Sequence, residues 1–344
     1  MVKHKNRGIN LGYPQKLLEL AQIADLEIKR MFPEHLEPKC FYDPIRYILS
    51  QGGKRLRPSL CLLACETVGG AAEDALQTAV AIEMIHNFTL LHDDVMDKAE
   101  RRRGKKAAHK IWGEELVINS GDGLFAMAFH TVLKTPVRRV GDAERLIKVV
   151  KLLAETVSRI AHGQALDLTL AKKSNVTVEE YMEMIRLKTG ALFEASLAAG
   201  AILGGGSGEE VKALQVFGEK FGLGFQIRDD LLDLQEDLNK KFGKVFAGDI
   251  AMGKRTLMVV HALQTPGSDK EKLLQILDKP PEQTTDQDKR FAIKILEENG
   301  SINYATRVAN RMIEEAKRSI ACLEETDAKR TLLELADFAV LREF

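Results

Sequence analysis

The nine prolines fall at positions 14, 33, 38, 44, 58, 136, 266, 280 and 281, leaving long stretches, 59–135 and 137–265, without the residue that most reliably breaks a helix. Within them apolar side chains recur with a 3.6-residue period, and nowhere is there sustained strand alternation. The pattern predicts an all-α chain. Helices are expected over 15–31, 44–51, 58–68, 73–97, 115–134, 143–171, 177–203, 209–236, 255–264, 269–278, 286–298 and 302–342, the last broken near 326. Asp43-Pro44 reads as an N-cap followed by proline at the first helical position. Thr177-Val178-Glu179-Glu180 reads as a capping box, and Gly69-Gly70 and Asn299-Gly300 as stops. No shift in composition, Ser/Pro linker or internal repeat marks a boundary, so residues 1–344 read as a single domain.

Two pentapeptides of the form D-D-x-x-D stand out on this helical background: Asp93-Asp94-Val95-Met96-Asp97 and Asp229-Asp230-Leu231-Leu232-Asp233. Residues four apart share a helix face, so Asp93 projects with Asp97 and Asp229 with Asp233. Like charges at that spacing weaken a helix by about 0.2–0.5 kcal/mol per pair, so helix propensity does not explain them. Two solvated acidic faces are the plain alternative. A divalent cation accounts for them better. Mg²⁺ takes one or two carboxylates and completes its shell with water and substrate phosphate oxygens. Each motif leads into a basic connector, Lys98–Lys110 and Asn239–Lys254, which brings cations near any metal-bound phosphate.

Lys plus Arg balance Asp plus Glu at 50 each, so net charge points to neither nucleic acid nor a membrane surface. Hydrophobic residues make up 45 %, enough for a sizeable core. The basic, polar segment Met1–Asn10 has no apolar stretch after it and does not read as a secretory signal. The longest small-apolar run, Ala195–Gly206, is too short to span a bilayer. Cys40, Cys61, Cys65 and Cys322 form neither a disulfide framework nor a C-x-x-C motif, which fits a soluble protein of a reducing cytoplasm.

Further segments fall in a recognisable order. They are Gly52-Gly53-Lys54-Arg55-Leu56-Arg57-Pro58, His86 through Asp97, Arg102-Arg103-Gly104, Lys188-Thr189-Gly190, Gly224-Phe225-Gln226 before the second aspartate motif, Gly243-Lys244, Gly248-Asp249 and Gly253-Lys254-Arg255-Thr256. Singly these are weak: Gly52–Pro58 could be a loop of solvated charges, and His86 a core histidine. Together, from about residue 40 onward, the chain resembles the trans (E-type) isoprenyl diphosphate synthases. Residues 1–39 have only a loose counterpart.

The resemblance implies an isoprenoid-synthase-type antiparallel helical bundle around a central cavity, usually a homodimer. It also implies condensation of isopentenyl diphosphate with an allylic diphosphate by ionisation, attack of the isopentenyl double bond and loss of a proton to the released diphosphate. By the same resemblance Asp93, Asp97 and Asp229 would hold about three Mg²⁺, supported by Asp94, Asp230 and Asp233. Arg102, Lys188, Lys244 and Lys254 would contact the allylic diphosphate. Thr189 and Gln226, catalytic with Lys188, would turn their oxygens towards the cationic carbon chain. Lys54, Arg57, Arg103 and His86 would form a metal-independent niche for the second diphosphate, where arginine offers a bidentate fork.

Phe88, five residues before Asp93, with Thr89 and Ile85 nearby, matches the region that limits chain growth in the family. An aromatic at that position beside a small Thr89 is similar to archaeal-type geranylgeranyl diphosphate synthases and implies a C20 product, with farnesyl (C15) as the alternative. A class I terpene cyclase would lack the second D-D-x-x-D motif and the Lys54/Arg57 niche. A non-catalytic partner subunit would have lost metal ligands or basic residues.

Overall fold

The computed structural model describes residues 13–236, 246–266 and 269–341. The chain runs through α1 (Gln15–Met31), α2 (Lys39–Ser50), α3 (Leu56–Thr67), α4 (Ala72–Met96), a hairpin of β1 (Arg101–Arg102) and β2 (Lys105–Lys106), α5 (His109–Trp112), α6 (Glu114–Val132) and α7 (Asp142–Leu170). Then come α8 (Val178–Ile185), a π-turn (Arg186–Gly190), α9 (Ala191–Gly204) and α10 (Gly208–Asp233). The remainder is α11 (Gly248–Ala251), α12 (Leu257–Gln264), α13 (Lys270–Leu277), a 3₁₀ turn (Pro281–Gln283), α14 (Asp286–Glu298), α15 (Ser301–Ser319) and α16 (Asp327–Leu341).

The all-α expectation holds, and most helix positions agree with the apolar period. The starts follow from capping. Thr177 accepts from the Glu180 N–H while Glu180 reaches back to the Thr177 N–H, and Ser207–Glu210 and Thr285–Asp288 repeat the arrangement.

Three expectations change. Helix α2 starts at Lys39 after Pro38, not at Pro44, which lies inside it. An interior proline costs about 3 kcal/mol. Burial of Ile45, Ile48 and Leu49, each worth about 1.5–3 kcal/mol, outweighs it. Asp43 pairs with Arg46 instead of capping. The helix expected over 177–203 is interrupted by the π-turn. The connector after Asp97 holds a hairpin whose turn residues Arg103 and Gly104 have φ of 51° and 78°, the left-handed pair that a two-residue hairpin turn requires.

Helix α9 is apolar all round and sits centrally, packed on α3, α4, α7 and α10. The buried apolar side chains form two clusters. The first gathers α1–α4, α6, the start of α7, α9, the start of α10, the end of α15 and α16. The second gathers α8, the end of α10 and α11–α15. Helices α7, α10 and α15 belong to both. Ile160 and Phe221 lie in the first cluster, Leu170 and Leu231 in the second. Between them come Gln164 and Asp167 on α7 and Gln226 on α10, while the π-turn joins α8 of one cluster to α9 of the other. The polar residues of interest therefore line a seam between two cores. Thr189 and Gln226 are only half-buried, so solvent reaches the seam.

Candidate active site

The first acidic wall is the C-terminal end of α4. Asp93 and Asp97 are half-buried, and Asp94 is 1 % exposed. A helix C-terminus disfavours negative charge. Burial drives the Asp93 carboxyl up to about 6; Asp97 and Asp167 add to the effect, and Lys188 and Arg102 oppose it. Asp94 is held from the hairpin, with Arg102 Nε donating to its Oδ1 at 2.9 Å. The other oxygen of Asp94 is buried without a hydrogen-bond partner. These are hard oxygen donors left in excess of what folding uses, which suits a hard divalent cation. Among the described residues no three His, Cys, Asp or Glu side chains converge as a ready-made cluster. A cation there would draw on one or two carboxylates and on ligand oxygens, the habit of Mg²⁺.

The second wall is the C-terminal end of α10. Asp229 and Asp233 are half-buried. Asp233 Oδ2 accepts the Asp249 N–H at 2.9 Å and its carbonyl accepts the Ala247 N–H at 3.0 Å, which fastens α11 to this wall. Asp230 is 6 % exposed and has both oxygens engaged: Tyr181 Oη donates to Oδ2 at 2.6 Å and Gln226 Nε2 to Oδ1 at 2.8 Å. Burial holds its carboxyl well above the usual range, with Asp249 adding and the two donors opposing.

Cations lie between the walls, each matched to a carboxylate. Lys188 Nζ is 2.6 Å from Asp167 and Lys254 Nζ is 3.0 Å from Asp249. Asp249 pushes the Lys254 ammonium up, with Asp167 and Asp97 contributing. Lys254 thus feels Asp97 of the first wall as well as Asp249, whose N–H bonds Asp233 of the second. Thr189 Oγ1 donates to Gln226 Oε1 at 2.8 Å. The π-turn that presents Lys188 and Thr189 is seated by glycine: a Cβ on Gly163 would stand 2.3 Å from the Lys188 backbone nitrogen, and one on Gly222 2.9 Å from Gly190 Cα. Lys244 lies outside the described residues.

A second group of cations is built differently. Arg57 Nη1 stands 3.3 Å from His86 Nε2, and its guanidinium carbon lies 4.3 Å from the Phe193 ring centroid. Since guanidinium only donates, His86 accepts at Nε2 and carries its proton on Nδ1. Burial and the Arg57 charge keep His86 neutral. Burial lowers Arg57 to about 10, with Glu83 opposing and Arg103 adding. Arg103 bonds the Gly52 carbonyl from the hairpin tip, and a Cβ on Gly53 (φ +128°) would stand 3.0 Å from its guanidinium. Lys54 lies 5.1 Å from the Phe338 ring and 5.6 Å from that of Tyr13. Among the described residues neither Arg57 nor Arg103 has a carboxylate within ion-pair distance. Arg55 between them does: it is φ-positive, 5 % exposed, and bonds Asp25 and Glu83 at 2.7 Å each.

Around the expected chain-length position, the Phe88 ring lies 4.7 Å from His92 and 5.2 Å from Phe125, which in turn lies 5.3 Å from Phe129. Thr89 bonds the His86 carbonyl at 2.8 Å, and Ile85 is fully buried in the core. The sequence reading did not single out Asp167, Gln164, Tyr181, Asp249 as a carboxylate partner, or Phe125. Gln164 and Asp167 sit three apart on one face of α7, a spacing that could have shown them.

A family model described as polyprenyl synthetase matches residues 38–296. The chain is 42% identical over 328 residues to the short chain isoprenyl diphosphate synthase of Methanothermobacter thermautotrophicus, covering 95% of this chain and 98% of that one. It is 38% identical over 321 residues to the geranylgeranyl diphosphate synthase of Methanosarcina mazei, covering 93% and 95%. Among solved structures, the geranylgeranyl pyrophosphate synthetase from Pyrococcus horikoshii aligns with a TM-score of 0.88 at 42% identity, covering 95% and 98%. A match over that span, with relatives that align along nearly their whole length, makes this chain a member of the polyprenyl synthetase family and a trans-prenyltransferase.

Proposed function

We propose that the chain condenses isopentenyl diphosphate with dimethylallyl, geranyl and farnesyl diphosphates to give all-trans geranylgeranyl diphosphate. The sorting of the cations into two kinds supports this above all. Arg102, Lys188 and Lys254 are each anchored to a carboxylate beside the aspartate walls. Arg57 and Arg103 have no such partner among the described residues, and Arg57 is half-buried. One diphosphate is thus met by preplaced, oriented cations where a leaving group departs, and the other by an unneutralised niche that has only to hold it.

In this reading the allylic C–O bond breaks with both electrons leaving on the diphosphate, whose growing charge Arg102, Lys188 and Lys254 stabilise. Asp93, Asp97 and Asp229 would hold Mg²⁺, with Asp94, Asp230 and Asp233 as supports. When bound, the metal supplies Lewis-acid charge to the departing oxygens. The Thr189 and Gln226 oxygens face the allylic cation. Arg57, Arg103, Lys54 and neutral His86 hold the isopentenyl diphosphate so that its double bond meets that cation. The proton lost from the new chain goes to the released diphosphate, still retained by the basic side chains. Phe88 and Phe125 form the floor that stops growth.

A homodimer is part of the proposal, supported by apolar side chains exposed on α6 and α7, among them Ile118 and Ile147. A cytoplasmic location is supported by the free state of all four cysteines. No helix of the described residues is long and apolar enough to cross a membrane.

Incubation with Mg²⁺, isopentenyl diphosphate and each allylic primer, read by mass spectrometry, should yield a C20 diphosphate. Absence of any prenyl product would reject the reading, and a C15 end product would reject the chain length alone. Arg57→Ala should raise KM for isopentenyl diphosphate roughly 10- to 100-fold while leaving the allylic KM within about threefold. Equal rises in both would reject the two-site sorting.

A further inference from the structure

We infer that Tyr181 and Asp230 are positioning residues that fix which way the Thr189 hydroxyl points, by setting the direction of every hydrogen bond in the chain Tyr181–Asp230–Gln226–Thr189. This rests on the reaction proposed above and adds to it residues that touch no substrate. Tyr181, on α8, is 1 % exposed, and its hydroxyl donates to Asp230 Oδ2 at 2.6 Å. The Gln226 amide, one turn before Asp230 on α10, donates to Oδ1 at 2.8 Å.

A glutamine amide reads almost the same in either orientation, and its neighbours decide. Here the Gln226 NH₂ faces Asp230 Oδ1 and its carbonyl faces Thr189, while the Tyr181 hydroxyl occupies the other Asp230 oxygen. Thr189 then has a single option: its one hydrogen goes to Gln226 Oε1 at 2.8 Å. All that the hydroxyl can present elsewhere is lone pairs. Towards a developing carbocation this is the favourable polarity; a reversed amide would let Thr189 turn its hydrogen outward and oppose the charge. The Tyr181 hydroxyl anchors the carboxylate from the far side, so that both oxygens stay in line.

The chain crosses the seam between the two cores, since Tyr181 belongs to the second cluster and Thr189 leads into α9 of the first. The hydrogen-bond chain therefore ties together α8, α10 and the π-turn, elements that also pack on one another.

The test is a double-mutant cycle in the full-length protein with Tyr181→Phe and Thr189→Val, each near-isosteric. Tyr181→Phe should lower kcat roughly 10- to 100-fold with KM for both diphosphates within about threefold. In the Thr189→Val background the same change should cost no more than about twofold, because the oxygen it orients is gone. If Tyr181→Phe folds poorly, Asp230→Asn takes its place in the cycle: a loss of kcat through Thr189 should shrink in the Thr189→Val background, whereas a loss through metal support would multiply in full. Unchanged kcat in Tyr181→Phe, a loss that multiplies in full with Thr189→Val, or a matching rise in KM would overturn the assignment. A wild-type chain without prenyl product would sink the parent reading, and this inference with it.

Discussion

Asp93 shows what a site costs the residue that serves it. Its carboxyl stands at about 6 instead of 3.8, chiefly through burial. The folded chain therefore binds that proton more tightly than the unfolded chain, and the stability this confers is complete below pH ~3.8 and lost as pH rises through ~6. Asp93→Asn removes the penalty. We expect the metal-free variant to melt later than wild type above pH ~7, by a gain of no more than about 3 kcal/mol, with no gain near pH ~3.5. Turnover should be lost in the same protein. Thermal melts at the two pH values check this, and equal melting at both would show that Asp93 is not strained in the fold. The residue scale is also where the sequence was most and least informative. The aspartates and the Lys-Thr and Arg-Arg pairs announce themselves by spacing within a few positions. Asp167 and Tyr181 carry no such mark; each is one ordinary residue on an amphipathic helix until Lys188 or Asp230, 21 and 49 positions away, is brought against it.

Helical periodicity gave the α-elements, because an apolar stripe is a property of the helix alone. It missed what depends on a neighbour. A π-turn uses the same residue types as the helix around it, so nothing over 177–203 distinguishes Arg186–Gly190; the cause lies on α7 and α10, where Gly163 and Gly222 let the backbone approach. Two-residue strands are too short to leave an alternation, and Pro44 misplaced the start of α2 because buried neighbours override a local breaker. Gly163→Ala puts a methyl group 2.3 Å from the Lys188 nitrogen, so α7 and the π-turn must separate. Lys188 and Thr189 then shift together, and kcat should fall roughly 10- to 100-fold with helix content unchanged by circular dichroism. Retained kcat would mean that the turn's placement is not critical.

For the whole molecule, the two aspartate walls sit where one core meets the other. A ligand that bridges them ties the halves together in the folded state only, and must raise its stability by mass action. Mg²⁺ with inorganic pyrophosphate should therefore raise the melting temperature well beyond Mg²⁺ or pyrophosphate alone, with a gain approaching about 2.7 kcal/mol at a hundredfold excess over Kd. Additive or absent shifts in calorimetry would argue that the walls do not share a ligand. The acceptor niche has a different consequence. A half-buried guanidinium with no carboxylate partner among the described residues is a ready seat for free phosphate. With such an anion seated against Arg57, arrival of isopentenyl diphosphate would be an exchange. Added phosphate should accordingly compete with isopentenyl diphosphate and leave the allylic partner alone; competition against the allylic partner instead would show that no such tenant exists.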